Sequence, residues 1–301
     1  MASYFRDSMM RELGGGGGGG AGGATSLLEA MMIRELCRGG GGGGGAGGGG
    51  GMDAAMAALQ RTTGADARLE AIKTLADEVR KAGGIDSMSA AGYELSSTAL
   101  ELLGHTLPPA DDDLEAVVAT VRKHNGLHAG DNITILGIGS GLASTEALLN
   151  ALTGVTVIAT DGAPPKKGTY MDVQALTADQ ALEKYGGKVH AVFGSWLPLD
   201  LESHKRSGWD SGLGAAALKC LHAHAASGGS TIKPLYIHIG ELQGGCTNTD
   251  AFFDLLWEQW EEVMCSYHQS LLGGMVRKNE HLCVYTIKGD DDEDDSDDDD
   301  A

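Results

Sequence analysis

Residues 132–141 read Asn-Ile-Thr-Ile-Leu-Gly-Ile-Gly-Ser-Gly, and no other stretch constrains the fold as tightly. Ile133 to Leu136 favour an extended strand that is apolar on both faces, as a strand inside a sheet must be. Gly137, Gly139 and Gly141 then recur at every second position. A turn of this kind uses backbone conformations that only glycine adopts cheaply, and it lets a ligand approach the main chain. A helix expected from Leu142 to Leu152 follows at once, so its first N–H groups face whatever the turn holds. Strand, glycine turn and helix in this order call for a parallel sheet with helices packed on it.

The rest of the chain is read around that unit. β-rich runs at 155–159, 189–193, 235–239 and 283–287, and a short one at 169–173, alternate with helical stretches at 178–185, 211–226 and 250–263. The expected fold class is α/β: a doubly wound, mostly parallel, seven-stranded Rossmann-like sheet spanning residues 129–289. Residues 53–128 read as a helical N-terminal region that covers it. Leu69, Ile72, Leu75, Ala76 and Val79 form an amphipathic stripe stopped by Gly83-Gly84. A second helix is expected over 90–103. After Pro108-Pro109, Asp111, Asp112 and Asp113 open a third with acids in its first turn, where the helix dipole favours them.

The two ends have a different composition. Residues 1–52 are a glycine-rich arm in which Met9-Met10-Arg11-Glu12-Leu13 is echoed by Met31-Met32-Ile33-Arg34-Glu35-Leu36, and residues 290–301 are an acidic tail. Neither buries enough apolar surface to offset the entropy of ordering its backbone, so both are expected to be disordered. The Met-rich repeats and the tail are the candidate segments for binding a protein partner.

The formal net charge is −20, and ten acidic residues lie between Asp290 and Asp300. With no run of Lys or Arg, direct binding to nucleic acid or to an anionic membrane surface is not expected. No apolar run is long enough to span a membrane, and Met1-Ala-Ser-Tyr-Phe-Arg lacks the core of a signal peptide. Five cysteines, an odd number without a CxxC pair, suggest a reduced, intracellular, cytoplasmic chain without a structural zinc site or other metal. His222 and His224, two apart on a helix, face different directions and make a poor ligand pair.

Two acids stand where ligands of open α/β sheets bind, outside the carboxyl ends of the strands. Asp161 ends the second strand, 24 residues after Gly137, where an acid accepts ribose hydroxyls. Glu241 follows the strand Tyr236-Ile-His-Ile-Gly240 and precedes a second glycine turn, Gly244-Gly245-Cys246-Thr247. It either lines a substrate cavity or belongs to a tight connection, in which Thr247 and Asp250 resemble a capping box. His190 and His238 are expected to be packing residues on strands, and Trp257 and Trp260 neighbours on one helix.

A dinucleotide turn requires G-x-G-x-x-G, and neither frame starting at Gly137 or Gly139 supplies the last glycine. The alternating register instead resembles motif I of class I S-adenosylmethionine-dependent methyltransferases. On that motif Gly139 and Gly141 match glycines, Gly137 falls where the family usually carries an acid, and Ala143 where it often carries the last glycine. Asp161 resembles the ribose-binding acid, and Asp172, followed by Leu176, the residue beside adenine. Ser195-Trp196-Leu197-Pro198 lies where amino-group methyltransferases carry their acceptor motif. The resemblance covers about 130–288. It implies S-adenosylmethionine held by Gly137, Gly139, Gly141, Asp161 and Asp172, with Ser195, Trp196 and Glu241 facing an acceptor, a small molecule or protein that the sequence does not identify. Two alternatives remain open: a methyltransferase-fold scaffold without catalysis, and, less well matched, an NAD-dependent oxidoreductase.

Overall fold

The computed structural model describes residues 65–81, 108–197, 212–227, 232–243, 247–268 and 280–289. The glycine-rich arm, the expected helix at 90–103, Pro198, the turn residues Gly244 to Cys246 and the acidic tail lie outside them.

Seven strands form one sheet: β1 (Ile133–Ile138), β2 (Val155–Asp161), β3 (Val173–Ala175), β4 (Ala191–Ser195), β5 (Leu235–Glu241), β6 (Trp260–His268) and β7 (Glu280–Ile287). Their order is β3-β2-β1-β4-β5-β7-β6. Neighbours from β3 to β5 pair in parallel. Only β7 is reversed, antiparallel to both β5 and β6. This is the expected mostly parallel, Rossmann-like sheet.

Helices cover both faces. On one lie α1 (Ala65–Lys81), α2 (Asp111–His124) and α3 (Ser144–Asn150). Leu114, Val117, Val118 and Val121 of α2 and Leu148 and Leu149 of α3 pack against the outward side chains of the central strands, with Leu69 of α1 at the margin. On the other face lie α4 (Ala178–Tyr185), α5 (Leu213–Ala226) and α6 (Asp250–Gln259), whose Leu182, Leu218, Leu221, Phe252, Phe253 and Leu256 meet Tyr236 and Tyr285 from the sheet. The strands are apolar on both faces because helices cover both. Asp111 to Asp113 do open α2, and Arg122, Lys123 and His124 close it, each group at the helix end that its charge favours.

Four local expectations are corrected. The third strand is 173–175 and not 169–173, because Ala159 to Asp161 of β2 pair with Val173 to Ala175. The helix expected to run to 263 ends at Gln259, and Trp260 turns into β6 with φ −127° and ψ 150°. Strand pairing with β7 outweighs the helical spacing of Trp257 and Trp260. Trp260 is buried, while Trp257 stays 46% exposed, its ring stacked on Phe253. The cap of α6 is Thr249, whose hydroxyl accepts from Phe252 N–H. Thr247 instead donates to the Glu241 carbonyl at 3.0 Å. The cysteines are not all reduced: Cys265 and Cys283, directly opposite on β6 and β7, form a disulfide.

Candidate functional site

The turn after β1 has its left-handed residues in a fixed rhythm: φ is +61° at Gly139, +52° at Gly141 and +58° at Ala143. Those positions, not 137, are the ones that need glycine's conformational freedom. At Gly141 a Cβ would meet nothing within 4 Å, so the main chain there borders open space. At Gly139 a Cβ would press on Leu197 and Leu213 at 3.1 and 3.2 Å. Ala143 holds the left-handed conformation at the N-cap of α3 despite its methyl group. The strain of an L-residue there is roughly 1–2 kcal/mol. Ala143→Gly should therefore stabilise the fold by roughly 0.5–1 kcal/mol, net of glycine's larger entropy loss. Urea unfolding checks this, and an unchanged or lowered midpoint would contradict the strain.

The turn is laced to the end of β2. Ser140 N–H donates to the Thr160 carbonyl at 3.0 Å, Thr160 N–H donates to Ser140 Oγ at 3.2 Å, and the Thr160 hydroxyl donates to the Gly137 carbonyl at 2.7 Å. Asp161 completes the lacing. Its Oδ2 accepts from Gly141 N–H at 3.0 Å and its Oδ1 from Ala163 N–H at 2.8 Å. A carboxylate offers about four acceptor positions, so two bonds to the main chain leave capacity for two hydroxyls.

Gly137 is glycine for a different reason. It lies within β1, paired with Ala159 and Phe193. A Cβ there would stand 2.8 Å from Ser140 Oγ and 3.0 Å from both Cγ and Oε1 of Glu146. Glu146, in the first turn of α3, is 4% exposed. Burial, its largest influence, pushes its carboxyl up to about 7, against the opposing bond with the Ser140 side chain; the neighbouring Asp161 raises it further. Among the described residues Glu146 makes no ion pair. Sequence reasoning passed over it, since an acid in a first turn is what the dipole already favours. Its spacing from Gly137 was the available signal.

The acceptor-side candidates come together only in part. Ser195 ends β4 opposite Ile239 of β5. Trp196 follows with φ +51°, a left-handed conformation that is strained for a bulky residue, and its N–H donates to the Ile239 carbonyl at 2.8 Å. Its ring packs at the edge of the apolar layer under α2. Glu241 ends β5 at the same carboxyl edge of the sheet, 5% exposed. Asp172 is not brought to this edge. It is exposed and precedes β3, whose carboxyl end is Ala175 opposite Asp161. Three strand positions, about 10 Å, separate the two levels. The two-residue shift of β3 accounts for the difference; Leu176, whose N–H donates to the Asp161 carbonyl at 3.1 Å, occupies the edge instead.

His238, on β5, is a buried packing residue as expected, whereas His190 falls one residue before β4 and is half-buried. His190 Nδ1 accepts from Thr134 N–H at 3.0 Å. His238 is fully buried, and burial drives it down to about 4. The loop after β2 is held from α1: Arg68 donates to the Gly168 carbonyl at 2.7 Å and lies 4.4 Å from the Tyr170 ring centroid. The N-terminal helical region thus fastens a loop beside the glycine turn. No described helix is long and apolar enough to cross a membrane.

No protein-family model matches the chain, and no curated protein matches it. Solved structures do. Precorrin-6y C5,15-methyltransferase from Geobacter metallireducens shares 14% identity over 58% of this chain and 87% of its own, with a TM-score of 0.35. Magnesium protoporphyrin IX methyltransferase from Synechocystis PCC 6803, solved with bound S-adenosylmethionine, shares 15% over 60% and 79%, with a TM-score of 0.33. A protein of Listeria monocytogenes described as a class I S-adenosylmethionine-dependent methyltransferase shares 11% over 88% and 89%, with a TM-score of 0.38. These are methyltransferases, the family that the glycine turn resembles.

Proposed function

We propose that the domain binds S-adenosylmethionine between the glycine turn and Asp161 and transfers its methyl group to an acceptor held at the ends of β4 and β5. The observation that carries this reading is the left-handed rhythm at 139, 141 and 143 beside an acid with spare acceptor capacity. A G-x-G-x-x-G dinucleotide turn places its third glycine in a different register, so an oxidoreductase fits less well. When bound, the group supplies a sulfonium-activated methyl, which an acceptor lone pair takes as the carbon–sulfur bond breaks and its electron pair returns to sulfur.

In this reading the chain's own work is positioning. Asp161 takes the ribose hydroxyls, and Gly139 and Gly141 let the adenosyl portion lie against the main chain. Glu146 stands beside the position where the resembled family carries its acid, and places from α3 a carboxyl group where Gly137 has none. Ser195 and Glu241 offer acceptors of hydrogen bonds to the substrate, and the Trp196 ring faces positive charge. Alignment of two reactants, with little covalent participation by the protein, is the main source of rate in such a transfer.

Isothermal titration of the full chain with S-adenosylmethionine and S-adenosylhomocysteine tests the reading. Asp161→Asn should weaken both by about tenfold or more, the loss expected when hydrogen bonds to a charged acceptor go. Circular dichroism should show the fold retained, because the amide still accepts one main-chain N–H. Absence of heat at millimolar ligand from folded wild-type protein would refute binding. The second reading, a non-catalytic scaffold of the same fold, is favoured by Gly137 standing in the acid's place. It requires that the biological role survive Asp161→Ala.

A further inference from the structure

The β6–β7 hairpin gathers three chemistry-bearing side chains that the cofactor reading does not use. Cys265 and Cys283 are register partners, and His281, two positions before Cys283, projects from the same face of β7 by strand alternation. The ligand atoms of all three lie within 4.8 Å of one another, and His281 Nδ1 is 3.7 Å from Cys265 Sγ. In a tetrahedral zinc site with ordinary zinc–sulfur and zinc–nitrogen bonds, the sulfur–nitrogen edge is roughly 3.6 Å. Cys265 is exposed while Cys283 is buried, so an ion has one open approach and one vertex left for water.

We propose that, once the Cys265–Cys283 disulfide is reduced, Cys265, Cys283 and His281 form a binding site for a zinc-type divalent ion. The disulfide and the metal site are alternative states of the same two sulfurs. A dithiol reductant opens the bond through a mixed disulfide, leaving two thiols here and a cyclic disulfide on the reductant. Binding of the ion then releases two protons as both thiols become thiolates. The neutral imidazole contributes its Nδ1 lone pair and keeps its proton on Nε2. The absence of CxxC spacing pointed away from a metal, but CxxC is only one way to bring sulfurs together. Strand register does it here across 18 residues of sequence. The site lies on β6 and β7, apart from the glycine turn, so it does not depend on what that turn binds.

The test uses the full chain, reduced with a dithiol and freed of it without air, then titrated with Co²⁺ and Zn²⁺. One equivalent of Co²⁺ should bind with the near-ultraviolet charge-transfer absorption of cobalt–thiolate bonds, and Zn²⁺ should displace it. Cys265→Ser should abolish that absorption. His281→Ala should weaken Co²⁺ binding by about tenfold or more, a loss within the range seen when a metal site's ligand shell is perturbed. The disulfide form should show none of it. Aspartates of the tail bind such ions only through oxygen and give no charge-transfer band, which separates them from this site. If the reduced chain, folded by circular dichroism, shows no charge-transfer band, the proposal is overturned. A band unaltered in both variants overturns it equally.

Discussion

Relative to Glu146→Gln, the wild-type chain should lose stability between pH 5 and pH 8.5, a difference in which the buried His238, common to both proteins, cancels. The cause is the burial that raises the Glu146 carboxyl from 4.5 to about 7. The folded state binds this proton more tightly than the unfolded state. Its contribution is therefore fully present below about pH 4.5 and is lost as pH rises through about 7. A rise of this size is worth up to about 3 kcal/mol, undiluted by solvent because the carboxyl is fully buried. The amide keeps the shape and never ionises. Urea unfolding at a series of pH values gives the difference between the two proteins directly. Parallel pH profiles for wild type and variant would show that Glu146 is not the titrating group.

Gly137→Ala should be the most damaging single-methyl change in the turn, costing about 2–3 kcal/mol through overpacking. The added carbon would meet Ser140 Oγ at 2.8 Å and the Glu146 side chain at 3.0 Å. Neither neighbour is a loose surface group: Ser140 Oγ accepts from Thr160 N–H, and Glu146 is buried. If the clash is with Glu146, Gly137→Ala and Glu146→Ala should compensate. The double variant should be more stable than the sum of the single changes predicts by about 1–2 kcal/mol, the usual size for residues in contact. Strict additivity in denaturant unfolding would mean that the crowding lies elsewhere.

The fold was legible wherever one local signal sufficed. The run from Ile133 to Leu136, its glycines and the acid at 161 each depend on neighbours a few residues away, and together they prescribed the parallel sheet and the edge on which the candidate site lies. What escaped depends on partners distant in the chain. Trp260 reads as the next helical turn after Trp257 until β7 offers it a ladder of hydrogen bonds. Cys265 and Cys283 are brought opposite each other by that same pairing. Asp172 was matched by motif, and the motif's frame moved when β3 ended two residues later than its β-rich stretch suggested. Ala143 hid its left-handed backbone because an alanine before a helix looks like the helix itself. Glu146 was hidden by its suitability, since an acid opening a helix asks for no further explanation.

The reversed direction of β7 has a practical consequence for handling the protein. The strand begins beside Glu241, with Glu280 as its register partner, and ends at Ile287 opposite Trp260. Its eight residues carry the chain about 25 Å along the sheet, from the edge bearing the glycine turn to the opposite one. A fluorophore or surface tether attached after Lys288 would therefore leave from the far side. On a biosensor chip, coupling at that point should keep the ligand-facing edge turned towards solution, whereas coupling at Glu280, where the strand begins, would press it against the matrix.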